Sequence, residues 1–193
     1  MTINCLLEGV PMYKHCTTEE SVLRQRQLEG CLLELMQTIP YSHITIGHIC
    51  QRADISRKSF YRYFGSKDGC LYALIDHCIM DGASYYLPAH GGQMIAHDIY
   101  VRFFSYWKDM APLLDVLARN TLSLRLVERM MYYVDQEERD FHYYLGGSPN
   151  DSYEQILFMV SGIMGLVLSW HLSGFQKSVS QMADVLEKVI KSS

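Results

Sequence analysis

Leu28, Leu32, Leu35, Met36 and Ile39 recur three and four residues apart, which lays one apolar stripe along a helix. Ahead of the stripe, Thr17 and Glu20 stand in the relation of a capping box. Behind it, Pro40 cannot continue the hydrogen-bond ladder and restrains its predecessor, so a first helix is predicted between them. The next apolar pattern is short. In "ITIGHICQRA", Thr45 is placed as N-cap and Ile46, Ile49, Cys50 and Ala53 share one face. After "DIS", Ser56 caps a second short helix, "RKSFYRYF", and Ser66 caps a longer one that turns Leu71, Leu74, Ile75 and Cys78 inward. Two short helices across so tight a joint form a helix-turn-helix pattern.

"LPAHGG", residues 87–92, is the Pro-Gly cluster between two helical regions and is read as the domain boundary. Beyond it, helical periodicity covers about 93–109, 111–120, 122–144, 152–173 and 179–191, with "GGSPND" as a loop and Ser178 with Gln181 as a capping box. No strand-like alternation is long enough to compete. The predicted fold is all-α: a three-helix helix-turn-helix domain joined to a C-terminal helical bundle, about nine helices in all. Residues 1–16 are read as a tail, 17–87 as the first domain and 88–193 as the second.

Composition narrows the functions open to this fold. With 193 residues, 49% hydrophobic and 20% charged, the chain can bury a sizeable core. A net charge of −4 argues against coating nucleic acid over the whole surface. The charge is unevenly spread, however, and residues 40–69 hold five basic side chains against two acidic ones. Six cysteines fall before residue 79 without a CxxC pair, which reads as free thiols in a reducing cytoplasm. The opening "MTINCLLEGVPMYK" lacks the basic and apolar regions of a signal peptide, so no export is expected. From Gln155 to Gln176 no charged residue occurs, a length that can span a bilayer. Ser161, Ser169, His171 and Ser173, with Gly162, Gly165 and Gly174, instead favour a helix buried on most sides of a soluble bundle. His97, His142 and His171 are too dispersed for a metal site, and no nucleophile–base set or phosphate loop stands out. Neither an enzyme nor a cofactor is expected.

The chemistry concentrates in "ADISRKSFYRYFGSKDGC", where Arg57, Lys58, Arg62 and Lys67 alternate with Phe60, Tyr61, Tyr63 and Phe64. A helix that enters the major groove must be short, positioned by phosphate contacts and braced by a second helix. Thr45 and Ser56 are caps beside backbone N–H groups that can meet phosphates. Arg57 and Lys58 head the second short helix, Ser59 can donate or accept, and Arg62 offers the fork suited to guanine. Tyr61 and Tyr63 pair a hydroxyl with a ring, and Lys67 adds charge at the next helix start. Periodicity sends Ile55, Phe60 and Phe64 under the helix and Tyr61 outward, with His43 and His48 near the same surface.

The run "TIGHICQRADISRKSFYRYFGSKDGCLYAL" resembles the N-terminal DNA-binding domain of the TetR family of bacterial transcriptional regulators. Thr45, Ile49–Cys50, Ala53, Ile55–Ser56, Phe60–Tyr61, Tyr63–Phe64, Ser66–Lys67 and Leu71 carry the likeness, without gaps from Thr45 to Lys67, and it extends over residues 17–80. The resemblance implies that Thr45 and Tyr61 hold phosphates and that Lys67 clamps the DNA backbone. It implies a recognition surface of Ser56, Arg57, Lys58, Ser59, Arg62 and Tyr63. It further implies a homodimer on a palindromic double-stranded operator, answering to a small-molecule effector. Two positions depart from the family pattern: Asp54 stands where glycine is usual, and Gly47 where a basic residue is common. They open a second reading, a co-regulator that works through a protein partner and binds DNA weakly itself.

In the C-terminal half, Ser161, Gly162, Gly165 and Ser169 would let a partner helix approach closely, amid Leu157, Val160, Met164, Val167 and Leu168. A second copy of the chain is the expected partner, in a four-helix interface with two-fold symmetry. Residues 162–175 resemble the Gly-x-x-Gly, Trp and Gly-Phe pattern of one TetR-type subgroup. Between boundary and interface the chain is rich in aromatics, of which Phe103, Phe104, Trp107, Tyr132 and Tyr133 are candidates for an effector pocket. Any one of these rings more often simply fills the core.

Overall fold

Each predicted helix has a counterpart in the structure, a computed structural model that describes residues 12–87, 95–136 and 152–192. Among the described residues it is all-α with nine helices: α1 (Glu19–Thr38), α2 (Ile46–Arg52), α3 (Arg57–Phe60), α4 (Lys67–Tyr86), α5 (Ala96–Asp109), α6 (Ala111–Arg119), α7 (Ser123–Gln136), α8 (Tyr153–Leu172) and α9 (Val179–Ser192). A 3-10 turn, Tyr41–His43, follows Pro40. The boundaries answer to local chemistry. α1 stops at Thr38, two residues before Pro40. Ser152 and Gln155 form a capping box on α8, and Ser178 and Gln181 exchange the same pair of bonds at α9.

Two expectations about ends need correction. The first helix is capped one residue later than predicted, at Thr18, whose hydroxyl bonds Ser21 and not the backbone, so the Thr17–Glu20 box does not form. The second short helix ends at Phe60, after a single turn, where Tyr61 takes the cap. From there the chain unwinds to lay Phe64 beside Tyr13 in an isolated antiparallel bridge. Residues 12–14 are therefore pinned by backbone pairing.

The chain divides into two compact units. Among the described residues, those up to His77 together with Val116–Leu122 form the first, and those of Cys78–Asp115 together with those from Ser123 onward the second. The division falls inside α4, and most of the Pro-Gly cluster read as the boundary lies outside the described residues. In the first unit α2 packs on α1 and α3 on α2. Leu28, Leu32, Met36, Ile49, Phe60, Phe64, Leu71 and Ile75 make its core, each almost wholly removed from water. Buried polar groups sit within that core in pairs. The Tyr13 hydroxyl donates to Asp76 at 2.6 Å, and His77 Nδ1 lies 2.9 Å from the Glu29 carboxylate. The described cysteines are free, and burial raises the thiol pKa of Cys31, Cys50 and Cys70.

In the second unit α9 lies along α5, and α8 packs on α7 and α5. α8 is less enclosed than its composition led us to expect. Only 33% of its most apolar stretch is buried, and Phe158 and Leu172 are 83% and 74% exposed. Its length and composition alone would let it cross a membrane.

Candidate nucleic-acid interface

The helix-turn-helix is assembled from two caps and one strained residue. Thr45 Oγ1 accepts the His48 N–H at 3.2 Å, and His48 Nδ1 lies 3.4 Å from the Thr45 N–H, so a surface histidine completes the capping box of α2. At the turn Asp54 adopts φ 52°, the left-handed conformation that asparagine and aspartate tolerate best after glycine. The Ile55 N–H then returns to the Cys50 carbonyl at 3.0 Å. Ser56 Oγ accepts the Ser59 N–H at 3.1 Å, and the two hydroxyls share a further bond of 3.1 Å. Both serines thus set the helix start before they meet any ligand.

This frame sorts the mixed aromatic and basic stretch. Phe60 and Phe64 are buried with ring centroids 5.2 Å apart, beneath the turn. Tyr61 is 57% exposed and Arg62 is exposed beside it, while Tyr63 is half-buried. Arg57 and Lys58 are exposed at the head of α3. The Arg57 guanidinium folds back over α2: a Cβ built on Gly47 would lie 3.1 Å from its Nη2 and 3.4 Å from Thr45 Oγ1. A larger residue at 47 would contest that space. The missing basic side chain on α2 is therefore matched by a cation from α3, next to the Thr45 hydroxyl.

Lys67 is drawn inward. Its ammonium donates to the carbonyls of Tyr41 and Ile44 at 2.6 and 2.8 Å and sits 4.1 Å from the centre of the Tyr41 ring. The Tyr41 hydroxyl donates to Asp68, and burial together with that bond raises the phenol pKa. Lys67 hence ties the loop before α2 to the start of α4, a role that its position in sequence does not reveal. Sequence reasoning also missed Asn120, whose Oδ1 accepts the Tyr41 N–H at 2.7 Å, and the strand-like pairing of Met12–Lys14 with Tyr63–Gly65. Both join segments far apart in the chain, beyond the reach of periodicity. One trace was legible: Gly69 stands in the first turn of α4, where a Cβ would meet the Met12 carbonyl oxygen at 2.0 Å.

The second unit holds the other candidates. Phe103, Phe104 and Trp107 are fully buried on α5, in edge-to-face contact with Tyr86, Tyr106 and Trp170. Trp107 Nε1 is buried without an acceptor. Tyr132 and Tyr133 are half-buried on α7, 5.5 Å apart, with the Arg129 guanidinium 4.2 Å from the Tyr132 ring. On α8, Gly162, Gly165 and Ser169 are exposed and Ser161 half-buried. His97, Asp184 and Glu187 bring metal-capable atoms within 4.8 Å of one another. The Glu187 oxygens already face Lys191 Nζ at 2.6 Å and His97 Nδ1 at 3.1 Å, and both bonds lower its pKa, so the group closes as a hydrogen-bonded network around Glu187.

Comparison with known proteins bears on both units. Residues 32–74 match the bacterial regulatory proteins of the tetR family. No curated relative matches the chain. Among solved structures, a tetR-family transcriptional regulator from Streptomyces coelicolor is 19% identical with a TM-score of 0.59, over 92% of this chain and 81% of its own. A tetR-family regulator from Syntrophomonas wolfei is 15% identical with a TM-score of 0.61, over 89% and 95%. The fatty acid degradation regulator FadR from Bacillus halodurans is 11% identical with a TM-score of 0.61, over 91% and 96%. At these identities the three share the fold.

Proposed function

We propose that the chain, whose residues 32–74 match the tetR family of bacterial regulatory proteins, is a homodimeric, ligand-responsive repressor that reads a palindromic operator in the cytoplasm. The observation that carries this reading is the division of residues 56–64. Phe60 and Phe64 anchor the turn from beneath, which leaves Arg57, Lys58, Tyr61 and Arg62 facing solvent together. Thr45, Arg57, Lys58 and Tyr61 then position the duplex through phosphates, and Ser59, Arg62 and Tyr63 read base edges. Neither departure from the family pattern favours the co-regulator. Asp54 reaches the turn conformation, and Arg57 supplies a cation beside the space at Gly47.

Dimerisation falls to α8. Phe158, Gly162, Gly165, Ser169 and Leu172 are all exposed at spacings that share one helix face, and a Cβ on either glycine would meet nothing within 4 Å. Such a face is suited to a second backbone, and two copies give the symmetry that a palindrome requires. An effector taken up in the second unit would accept from the indole N–H of Trp107, which costs free energy while it has no partner. Because α4 runs from the first unit into the second, a change of state among its last residues reaches Ser66 and the adjoining recognition segment through one continuous helix.

The test is an electrophoretic shift on the duplex upstream of the gene for this chain, at two salt concentrations. Sequence-selective binding that weakens with salt is expected. Tyr61→Ala with Arg62→Ala should abolish selective binding and leave the dimer intact by light scattering. Wild-type affinity in that double variant would refute the assigned surface.

A further inference from the structure

We infer that the DNA-binding surface extends onto the amino-terminal strap Met12–Lys14 and that Lys14 makes a backbone phosphate contact beside Tyr63; this rests on the DNA-binding reading above. The geometry begins with the bridge between Tyr13 and Phe64. Its antiparallel register sets Lys14 opposite Tyr63, and the Lys14 N–H donates to the Tyr63 carbonyl at 2.8 Å while the Gly65 N–H donates to the Met12 carbonyl at 3.2 Å. Opposed residues in such a pair project to the same side, and successive residues to opposite sides. Tyr13 and Phe64 project into the core, 7% and 1% exposed. Lys14 and Tyr63 therefore project the other way, and Lys14 is exposed.

The strap is held at several points. The Lys14 carbonyl accepts from Nε2 of the buried Gln25 at 2.9 Å, and the Tyr13 hydroxyl donates to the fully buried Asp76. Gly69 leaves the room that the Met12 carbonyl needs, since a Cβ there would lie 2.0 Å from it. A lysine whose backbone is fixed on both sides presents its ammonium with less conformational freedom to lose than one on a loose tail. Its backbone partner Tyr63 directly follows the exposed Arg62 in the segment that also carries Arg57 and Lys58. A phosphate is the group that a lone, outward ammonium in this position fits, because phosphates line the duplex on either side of an occupied groove.

Titration of full-length Lys14→Ala, Lys14→Arg and wild type with two labelled duplexes, the upstream region and a scrambled sequence of equal length, tests the assignment. Lys14→Ala should weaken binding to both duplexes by about the same factor, on the order of fivefold, and flatten the slope of log affinity against log salt by about 0.9 for each contact removed. Lys14→Arg should keep both the affinity and the slope. Thermal melting of Lys14→Ala should match wild type, since the side chain is exposed. A wild-type salt slope in Lys14→Ala would overturn this inference and leave the proposed function standing. A wild-type protein that binds neither duplex at low salt would overturn both.

Discussion

Lys67 and Asp54 show at the scale of single residues how the site is supported from behind. Lys67 was expected on the DNA side, yet its ammonium satisfies two carbonyls of the turn that precedes Thr45. Replacing it with methionine leaves those acceptors half-buried without their charged donor. Lys67→Met should cost about 2 kcal/mol in urea denaturation, because hydrogen bonds to a charged group are worth roughly 1.5–3 kcal/mol each and water recovers part of the loss. A stability within experimental error of wild type would show that the clamp is idle. Asp54 pays for its φ of 52° in backbone strain. Asp54→Gly should stabilise the fold by about 0.5 kcal/mol, the relief of strain exceeding the entropy that glycine adds to the unfolded chain. It should also tighten DNA binding slightly, since a negative charge beside the phosphates is removed. The need for an unusual residue at 54 was legible in the sequence. The fate of Lys67 was not, because Tyr41 and Ile44 come within its reach only after α1, α2 and α4 have packed.

Among the elements, α3 and α8 depart most from their sequence patterns, for opposite reasons. α3 has a single turn, too short to be stable by itself, so its end is set by what Phe60 and Phe64 pack on and by the strap that takes up Phe64. α8 is a full-length helix whose apolar residues outnumber its neighbours in one copy of the chain. Periodicity alone could not distinguish a helix surrounded by its own chain from one awaiting a second chain. Gly162→Ala tells the two apart by the sign of its effect. On a solvent-exposed helix it stabilises by about 1 kcal/mol, since glycine is that much poorer a helix former. In a close helix–helix interface it pushes the backbones apart. Sedimentation should accordingly show a weaker dimer for Gly162→Ala, with the monomer no less stable to heat. A dimer of unchanged strength would move the interface elsewhere.

For the whole molecule, the division into units does not follow the order of the chain. Val116–Leu122, the end of α6 and the turn after it, groups with the first unit, where Asn120 Oδ1 accepts the Tyr41 N–H and Arg119 Nη1 donates to the Gln37 carbonyl at 3.3 Å. The unit that holds the proposed recognition surface is thus completed by residues from the middle of the chain. Asn120→Ala strands a partly buried N–H and should destabilise the protein by about 1–2 kcal/mol. It should weaken operator binding without changing the salt slope, since no phosphate contact is lost; a reduced slope would place Asn120 at the DNA instead.

The periodicity, caps and Pro40 of this sequence determined by themselves that the chain is helical, where most helices start and stop, and which aromatic residues of 56–64 turn inward. These are local matters, decided within a few turns by side-chain spacing and backbone satisfaction. Tertiary structure alone decided that Lys67 points to carbonyls, that Lys14 stands opposite Tyr63, that Arg57 overlies Gly47 and that the face around Gly162 and Gly165 is left open. Each of these depends on residues far apart in sequence, and a pattern along one dimension carries no record of which distant groups come to share a surface.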